Sequence, residues 1–133
     1  MPIDRSMPIL VVDDSATIVR IIRNLLQHLG FMEIDDADNG QSALAKMRNK
    51  RYGLVISDWD VQTMNGCDLL REVRADPDLK KTAFIMVTGE YKSKNVIAAK
   101  RAGVSNYIVK PFDAPTLKAK IESTFAVRAA QAV

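Results

Sequence analysis

Short, unbroken apolar runs alternate along this chain with longer segments in which apolar residues recur every three or four positions. Unbroken apolar runs are typical of strands that are buried on both faces, and the wider spacing is typical of helices with one apolar face. Five such pairs in succession predict a parallel sheet with helices on both faces. We expect strands at residues 9–12, 31–37, 54–56, 83–87 and 107–109, and the second, more polar strand at an edge of the sheet.

The segments between these strands carry the start and stop signals of helices. Ser15 can cap a first helix that ends before Gly30, and Asp113 can cap a last helix that frays from Arg128 onward. The three helices between them are predicted at 41–50, 67–75 and 92–102. No linker or internal repeat interrupts this order. We therefore expect one doubly wound α/β domain over residues 1–133, with its core at about 8–127.

Length and composition exclude several classes of protein. The 133 residues suit one domain with a sizeable core, at roughly 100–200 residues per domain. The single Cys67 excludes a disulfide within the chain, and the single His28 excludes a metal site built from several imidazoles. No apolar run approaches the ~20 residues of a membrane span, and the run at 8–12 is too short for a signal peptide. We expect a cytoplasmic protein with no membrane partner.

The net charge of +3 conceals two parts of opposite sign. Residues 1–88 hold 11 Lys and Arg against 13 Asp and Glu, whereas residues 89–133 hold 8 against 3. The basic last third and a basic run at 46–51 are the only arguments for nucleic-acid binding. That run has no interleaved stacking aromatics and the sequence has no recognition motif, so we expect a protein partner and no nucleic acid.

Chemically active residues stand where the predicted strands end. Asp13 and Asp14 follow the first strand and Asp58 the third. Thr88 follows the fourth strand and Lys110 the fifth. Because the carboxyl ends of parallel strands meet at one edge of a sheet, we expect these side chains to share one site. Crowded carboxylates raise one another's pKa, a conflict that a divalent cation removes. An all-oxygen ligand set favours Mg²⁺.

Such a site indicates phosphoryl chemistry. A carboxylate can accept a phosphoryl group as an acyl phosphate, while a metal ion and a lysine neutralise the phosphoryl oxygens. Neither GxxxxGK[ST] nor GxGxxG is present, so the phosphoryl donor is expected to be another molecule and not a bound nucleotide. Taken singly, Asp13 and Asp14 could merely cap a helix, and Asp58 could belong to a turn. Their joint occurrence at successive strand ends favours the functional interpretation.

Four segments resemble the receiver domain of two-component response regulators. They are Val-Val-Asp-Asp-Ser at 11–15, Val-Ile-Ser-Asp-Trp at 55–59, Met-Val-Thr at 86–88 and Tyr-Ile-Val-Lys-Pro-Phe at 107–112. The resemblance extends over about residues 9–125, and within the family it is greatest to single-domain chemotaxis regulators. It implies a flavodoxin-like, five-stranded parallel sheet with strand order 2-1-3-4-5 and five flanking helices.

The resemblance implies a magnesium site and a phosphoacceptor. Asp14 and Asp58 would bind Mg²⁺ directly, together with the backbone carbonyl of Asp60. Asp13 would act mainly through a metal-bound water. Asp58 would accept the phosphoryl group from a phosphohistidine on a chemotaxis-type sensor histidine kinase.

The resemblance also implies a conformational switch. Lys110 would pair with the phosphoryl group, Thr88 would shift toward it, and Tyr107 would rotate inward behind Thr88. The face formed by the fourth helix, fifth strand and fifth helix would then change its affinity for a partner, which we expect to be the flagellar motor switch protein. The chain would be a monomeric switch that catalyses only its own phosphorylation and dephosphorylation, not an enzyme in the usual sense. The bond between Lys110 and Pro111 would be cis.

The sequence departs from the family's pattern at three places. Residues 61–66 lack the proline that usually follows the acceptor, Asp60 stands where the chemotaxis regulators usually have Asn, and Gly89 stands where alanine is common. We expect the missing proline and the extra glycine to loosen their loops. We expect Asp60 to change Mg²⁺ affinity and phosphoryl lifetime, because it adds a fourth carboxylate beside the acceptor.

Two other functions stay open from the sequence. One is a single-domain receiver in another phosphorelay, such as cell-cycle control or a phosphate sink. The other is a small phosphatase of the haloacid-dehalogenase type, which also uses a strand-end aspartate with Mg²⁺, Thr and Lys. Asp60 superficially supplies the second aspartate which that class needs. The chain length, which leaves no room for a cap domain, and the paired acids after the first strand disfavour the phosphatase.

Overall fold

Five strands alternate with five helices in the computed structural model, which describes residues 3–61, 64–89 and 93–131. The strands are β1 (Ile9–Val12), β2 (Ile34–Ala37), β3 (Leu54–Asp58), β4 (Ala83–Thr88) and β5 (Asn106–Val109). The helices are α1 (Ala16–His28), α2 (Gly40–Asn49), α3 (Gly66–Ala75), α4 (Ser93–Ala102) and α5 (Ala114–Gln131). Every predicted element is present, in the predicted order.

The sheet is parallel throughout, with strand order β2-β1-β3-β4-β5. This order confirms the predicted doubly wound, flavodoxin-like fold and places β2 at an edge. β2 lies beside β1 on one side, and the chain then crosses over β1 so that β3 lies on its other side. The strand order therefore reverses between β1 and β3. In sheets of this kind, ligands bind beyond the carboxyl ends of the strands at that point.

Four helices begin at a side chain that accepts a hydrogen bond from the backbone N–H three residues further on. The capping residues are Ser15, Asn39, Asn65 and Asp113, with N···O distances of 2.8–3.3 Å. Each bond satisfies one of the N–H groups that the first turn of a helix leaves without an intrahelical acceptor. The predicted caps Ser15 and Asp113 are confirmed, and Asn39 and Asn65 start α2 and α3 one residue earlier than predicted.

Each central strand contributes to two apolar layers, one on either face of the sheet. In β1, Leu10 and Val12 pack into a layer with α2 and α3, whereas Ile9 and Val11 pack into a layer with α1 and α5. All four residues are at most 1% exposed. We call these the α2–α3 layer and the α1–α5 layer. Burial on both faces is the reason that the strands are unbroken apolar runs.

The second strand begins at Ile34, three residues later than predicted. The chain before it still belongs to the end of α1, where Gly30 has a φ of 99°. The Gly30 N–H donates to the Gln27 carbonyl and the Phe31 N–H to the Leu26 carbonyl, both at 3.0 Å. This pair of bonds is a Schellman motif, in which the residue after the glycine commonly packs back against the helix. Phe31 is therefore buried as part of a helix end, not as part of a strand.

The last helix runs to Gln131, past Arg128, from which the sequence predicts fraying. The Arg128 guanidinium donates a hydrogen bond to the Lys81 carbonyl, which ties this turn of α5 to the loop before β4. The structure describes α4 from Ser93, and the predicted start at Lys92 lies outside the described residues. Within the described ranges, no helix combines the length and apolar character needed to cross a membrane.

Candidate functional site

Three carboxylates meet at the carboxyl ends of β1 and β3. The two strands pair with Val12 opposite Ser57, so the residues that follow, Asp13 and Asp58, are neighbours. Asp13, Asp14 and Asp58 each place a carboxylate oxygen within 4.8 Å of the others, and we call them the acidic cluster. Asp13 is 3% and Asp58 8% exposed, whereas Asp14 lies at the surface. The structure thus brings together the three acids that the sequence assigns to one edge of the sheet.

Lys110 reaches the acidic cluster from the end of β5. Its Nζ lies 3.2 Å from Asp58 Oδ1 and 3.5 Å from Asp13 Oδ2. Its backbone N–H donates to the Thr88 carbonyl at 2.8 Å, which fixes the end of β5 beside the end of β4. The peptide bond between Lys110 and Pro111 is cis, as predicted. The ammonium group therefore compensates part of the charge on two buried carboxylates.

The charges at this edge shift the pKa values of both partners. Burial raises the pKa of Asp58 above its ordinary value, Lys110 opposes that shift, and Asp13 and Asp60 add to it by repulsion. Burial alone would lower the pKa of Lys110, but Asp58 and Asp13 outweigh burial and raise it. The Asp58 pKa is thus raised mainly by burial, and the Lys110 pKa is raised by the two carboxylates that it faces.

The donor set of the acidic cluster fits a divalent cation. Its ligand atoms are all carboxylate oxygens, the type that Mg²⁺ prefers when it keeps several of its waters. Asp13 is oriented by the Ser15 N–H, which donates to Oδ1 at 2.9 Å and leaves Oδ2 facing Lys110. A cation held by these oxygens would relieve the repulsion that one lysine leaves uncompensated.

The loop after β3 carries the remaining predicted metal ligand. Asp60 is exposed and its carboxylate stands outside the acidic cluster, so only the predicted role of its backbone carbonyl concerns the metal. The half-buried Trp59 is anchored at both ends, because its N–H donates to the Val87 carbonyl and its carbonyl accepts from the Gly66 N–H, each at 2.9 Å. Residues 62–63, on which the predicted loosening of this loop depends, lie outside the described residues.

The two predicted switch residues share one face of the sheet. Thr88 pairs with Val109 and Met86 pairs with Tyr107, and paired residues of neighbouring strands point to the same side. Thr88 is buried at the end of β4, and Tyr107 is half-buried against the α2–α3 layer. The Nζ of Lys120 lies 5.1 Å from the centroid of the Tyr107 ring. Because β4 lies between β3 and β5, Thr88 ends the strand between the one that carries Asp58 and the one that carries Tyr107.

Gly66 is a site residue that the sequence analysis missed. A Cβ at this position would lie 2.9 Å from Met86 Sδ and 3.1 Å from Trp59 Cα, and it would collide with the Asp58 carbonyl oxygen. The first turn of α3 can therefore pack against the end of β3 only because residue 66 has no side chain. An Asn-Gly pair signals a turn or helix start in a sequence, but this close approach depends on contacts between distant segments.

The fold and the site together define a class of protein: a doubly wound domain whose acidic pocket at the carboxyl edge of the sheet is faced by a lysine and a threonine. The family model described as the response regulator receiver domain matches residues 9–122, and the chain belongs to this family. Receiver domains bind Mg²⁺ in their acidic pocket, take their signal from a histidine kinase and pass it to a downstream target.

Similar proteins narrow the class to relatives of chemotaxis regulators. The chain is 44% identical over 123 residues to chemotaxis protein CheY-3 of Vibrio cholerae serotype O1, covering 92% of this chain and 95% of that protein. It is 48% identical over 119 residues to chemotaxis protein CheY of Pseudomonas aeruginosa, covering 90% and 96%. The solved structure of chemotaxis response regulator CheY4 of Vibrio cholerae superposes with a TM-score of 0.83 at 31% identity, covering 90% of this chain and 98% of that one.

Proposed function

We propose that this protein is a phosphorylation-operated switch in chemotaxis, with Asp58 as the phosphoacceptor. The observation that carries the proposal is the placement of Lys110, which faces Asp58 at 3.2 Å and Asp13 at 3.5 Å across the carboxyl edge of the sheet. This arrangement places an ammonium group and two further carboxylates that can hold a metal ion around the Asp58 carboxylate.

In the proposed reaction, a carboxylate oxygen of Asp58 attacks the phosphorus atom of a phosphohistidine. A P–O bond forms, the P–N bond breaks, and its electron pair stays with the imidazole nitrogen. Asp14, Asp58 and the Asp60 carbonyl would hold Mg²⁺ directly, with Asp13 acting through water, and the bound ion supplies positive charge for the phosphoryl oxygens. Lys110 neutralises a further oxygen. Hydrolysis of the acyl phosphate by water would reset the switch. The chain would thus catalyse only its own phosphorylation and dephosphorylation and would not be an enzyme in the usual sense.

The signal would pass from Asp58 to the surface through two residues on one face of the sheet. Thr88 would donate a hydrogen bond to a phosphoryl oxygen, and the space that it vacates would admit the Tyr107 ring. Tyr107 now lies partly exposed beside Lys120, on the face formed by α4, β5 and α5. Its rotation would change the shape of that face and thereby its affinity for a target.

The proposed partners follow from the relatives, which are chemotaxis proteins by name. We propose a chemotaxis-type histidine kinase as the phosphoryl donor and the flagellar motor switch protein as the target of the α4–β5–α5 face, both in the cytoplasm. We propose that the protein acts as a monomer. The competing interpretation is that the protein serves another phosphorelay. A binding measurement distinguishes the two: the phosphorylated protein should bind a motor-switch peptide more tightly than an unrelated acidic peptide only if it controls the motor.

The phosphoacceptor is tested with acetyl phosphate as a small-molecule donor. In the presence of Mg²⁺, intact-mass spectrometry should detect one added phosphoryl group in the wild type and none in Asp58→Asn. Asp78→Asn is the matched control, because it makes the same change at an exposed site and should leave the adduct unchanged. Fluorescence of the sole tryptophan, Trp59, should respond to Mg²⁺ and again to the donor. An adduct that persists in Asp58→Asn, or catalytic turnover of phosphomonoesters, would overturn the proposal.

A further inference from the structure

A second polar pocket lies at the opposite end of the sheet from the acidic cluster. It opens beside the residues that precede β4 and β5 and is closed by the last turns of α3 and α5, with a volume of about 530 Å³. Its polar lining residues are Arg74, Lys80, Lys81, Ser105, Thr124 and Arg128, and we call it the basic pocket. Its volume falls within the roughly 300–1,000 Å³ of sites that hold small molecules.

The basic pocket concentrates positive charge without a carboxylate in its lining. Four of its lining residues are cationic: Arg74, Lys80, Lys81 and Arg128. Among the described ion pairs, none joins any of these four cations to an acid. Asp78, two residues before Lys80, lines two neighbouring depressions, one of which Lys81 and Arg128 also line. Four cations that line one pocket favour an anion from solution as their common partner.

Arg74 is held rigidly in the wall of the basic pocket by neutral acceptors. Its Nε donates to the Gly103 carbonyl at 2.8 Å, and its Nη1 donates to the carbonyls of Thr82 at 2.6 Å and Lys80 at 3.0 Å. Its Nη2 donates to Ser105 Oγ at 3.3 Å. These bonds fix the plane of the guanidinium but cancel none of its charge. Burial, assisted by the nearby charge of Arg128, lowers the pKa of Arg74, which reflects the same lack of a counter-ion.

Two further groups are fixed in positions from which they can bind the same anion. The Arg128 guanidinium is tied to the loop before β4 by its hydrogen bond to the Lys81 carbonyl. Ser105 Oγ accepts hydrogen bonds from Arg74 and from the Phe84 N–H at 3.0 Å. Since a hydroxyl that accepts twice still has its own proton to donate, Ser105 is suited to bind an anionic oxygen. Fixed donors lose little conformational entropy when a ligand binds.

We propose that the basic pocket binds a small polyanion through a diphosphate group. Arg128 donates one described hydrogen bond and keeps guanidinium N–H groups for phosphate oxygens, Arg74 keeps one N–H of five, and the lysines add charge without directional demand. A single monovalent anion would leave most of the four positive charges uncompensated, whereas a diphosphate group matches them more closely. Free pyrophosphate and a nucleoside diphosphate share this group, so both serve as probes.

The test is isothermal titration calorimetry of the full chain with sodium pyrophosphate and, separately, with ADP. Both titrations are done without Mg²⁺ and at constant ionic strength. Arg128→Gln and Lys81→Gln should each weaken binding about tenfold, the loss expected for one charged hydrogen-bonding partner. Arg20→Gln, an exposed arginine on α1, is the matched control and should bind like the wild type. Arg74 is spared because its removal would also break four hydrogen bonds that join α3 to the segments before β4 and β5.

Amide chemical shifts locate the bound anion. Shifts confined to residues 103–105 and to the last turn of α5 support the proposal, and tighter binding of ADP than of pyrophosphate would identify a nucleoside diphosphate as the preferred form. Equal binding of both probes also supports it, with recognition limited to the diphosphate group. Equal losses in Arg20→Gln and Arg128→Gln, shifts centred on Asp14, or no heat up to about 1 mM probe would overturn it.

Discussion

The Nζ of Lys110 lies 3.2 Å from the carboxylate of Asp58, and this contact connects β5 to β3 across the end of the strand between them. The same nitrogen lies 3.5 Å from Asp13. Lys110 thus neutralises the oxygens that the proposed metal ion and phosphoryl group would contact. Its ammonium has two opposed effects, because it repels a cation and attracts a phosphoryl group.

Replacing Lys110 by Met should therefore tighten Mg²⁺ binding and slow phosphorylation. Removal of one positive charge a few ångströms from the metal is expected to lower the Mg²⁺ dissociation constant about fivefold, or about 1 kcal/mol in a solvated site. Titration of Trp59 fluorescence with Mg²⁺ measures the first effect and the rate of adduct formation with acetyl phosphate the second. Lys118→Met, an equal change at an exposed position of α5, should do neither. Weaker Mg²⁺ binding in Lys110→Met would contradict the charge argument.

Asp60→Asn should weaken Mg²⁺ binding, because the Asp60 charge already acts on the acceptor and raises the pKa of Asp58. The side chain is exposed and stands outside the acidic cluster, so screening limits the effect to about two- to fivefold. The same substitution should change the lifetime of the phosphorylated form. Mg²⁺ titration and decay of the phosphoryl adduct measure the two quantities, with Asp78→Asn as control. Identical values for wild type and Asp60→Asn would refute the prediction.

Gly89→Ala should stabilise the fold, whereas Gly66→Ala should destabilise it. A Cβ at Gly89 meets no atom within 4 Å, so the alanine mainly restricts the unfolded chain, a gain of about 0.4–1 kcal/mol. A Cβ at Gly66 collides with backbone and with Met86, a cost of about 1–3 kcal/mol. Urea denaturation measures both changes.

Amide relaxation should also detect slower motion of the loop after Thr88 in Gly89→Ala than in the wild type. Unchanged relaxation in that loop would argue against the predicted effect of Gly89 on its mobility.

Tyr52→Phe should lower the free energy of unfolding at neutral pH, and this loss should be smaller at acidic pH. The Tyr52 hydroxyl donates to Asp35 Oδ2 at 2.7 Å, and this bond, followed by that of Lys50 at 3.0 Å, lowers the pKa of Asp35. A depressed carboxyl pKa stabilises the fold above the unfolded value of about 3.9, and the gain is lost as the pH falls through the folded value. We expect a loss of about 1 kcal/mol at pH ~7.

Urea denaturation of wild type and Tyr52→Phe between pH ~7 and pH ~2 checks the pH dependence of this loss. The same substitution in an Asp35→Asn background supplies the control, because there the charged acceptor is already absent and the cost of Tyr52→Phe should shrink. A cost that is independent of both pH and Asp35 would assign the effect to packing of the ring, which lies 8% exposed.

The sequence predicts the sheet well because its central strands are buried on both faces. Unbroken runs such as the one at Ile9–Val12 have few alternative interpretations, and parallel strands fix where their carboxyl ends meet. The sequence alone accordingly assigns Asp13, Asp14 and Asp58 to one edge of the sheet. Strand order was implied only by the family resemblance, since apolar runs do not specify their neighbours.

Features that depend on contacts between distant segments were beyond the sequence. Phe31 is a local exception: it carries the residue type of a strand, but the Schellman motif at the end of α1 places it against the preceding helix. The extension of α5 past Arg128 depends on a carbonyl 47 residues away in the chain. The basic pocket joins the ends of α3 and α5 with two loops, and its four cations are spread over 55 positions from Arg74 to Arg128.

The separation of the α2–α3 layer from the α1–α5 layer has a consequence for how this sequence can change. Adjacent residues of one strand, such as Leu10 and Val11, belong to different layers and share no packing neighbours across the sheet. A smaller residue at Leu10 leaves a cavity that only a larger residue in the same layer can fill. Compensating substitutions should therefore arise in pairs within one layer, and substitutions in the two layers should be independent of each other. One layer can then change its composition while the other keeps its own.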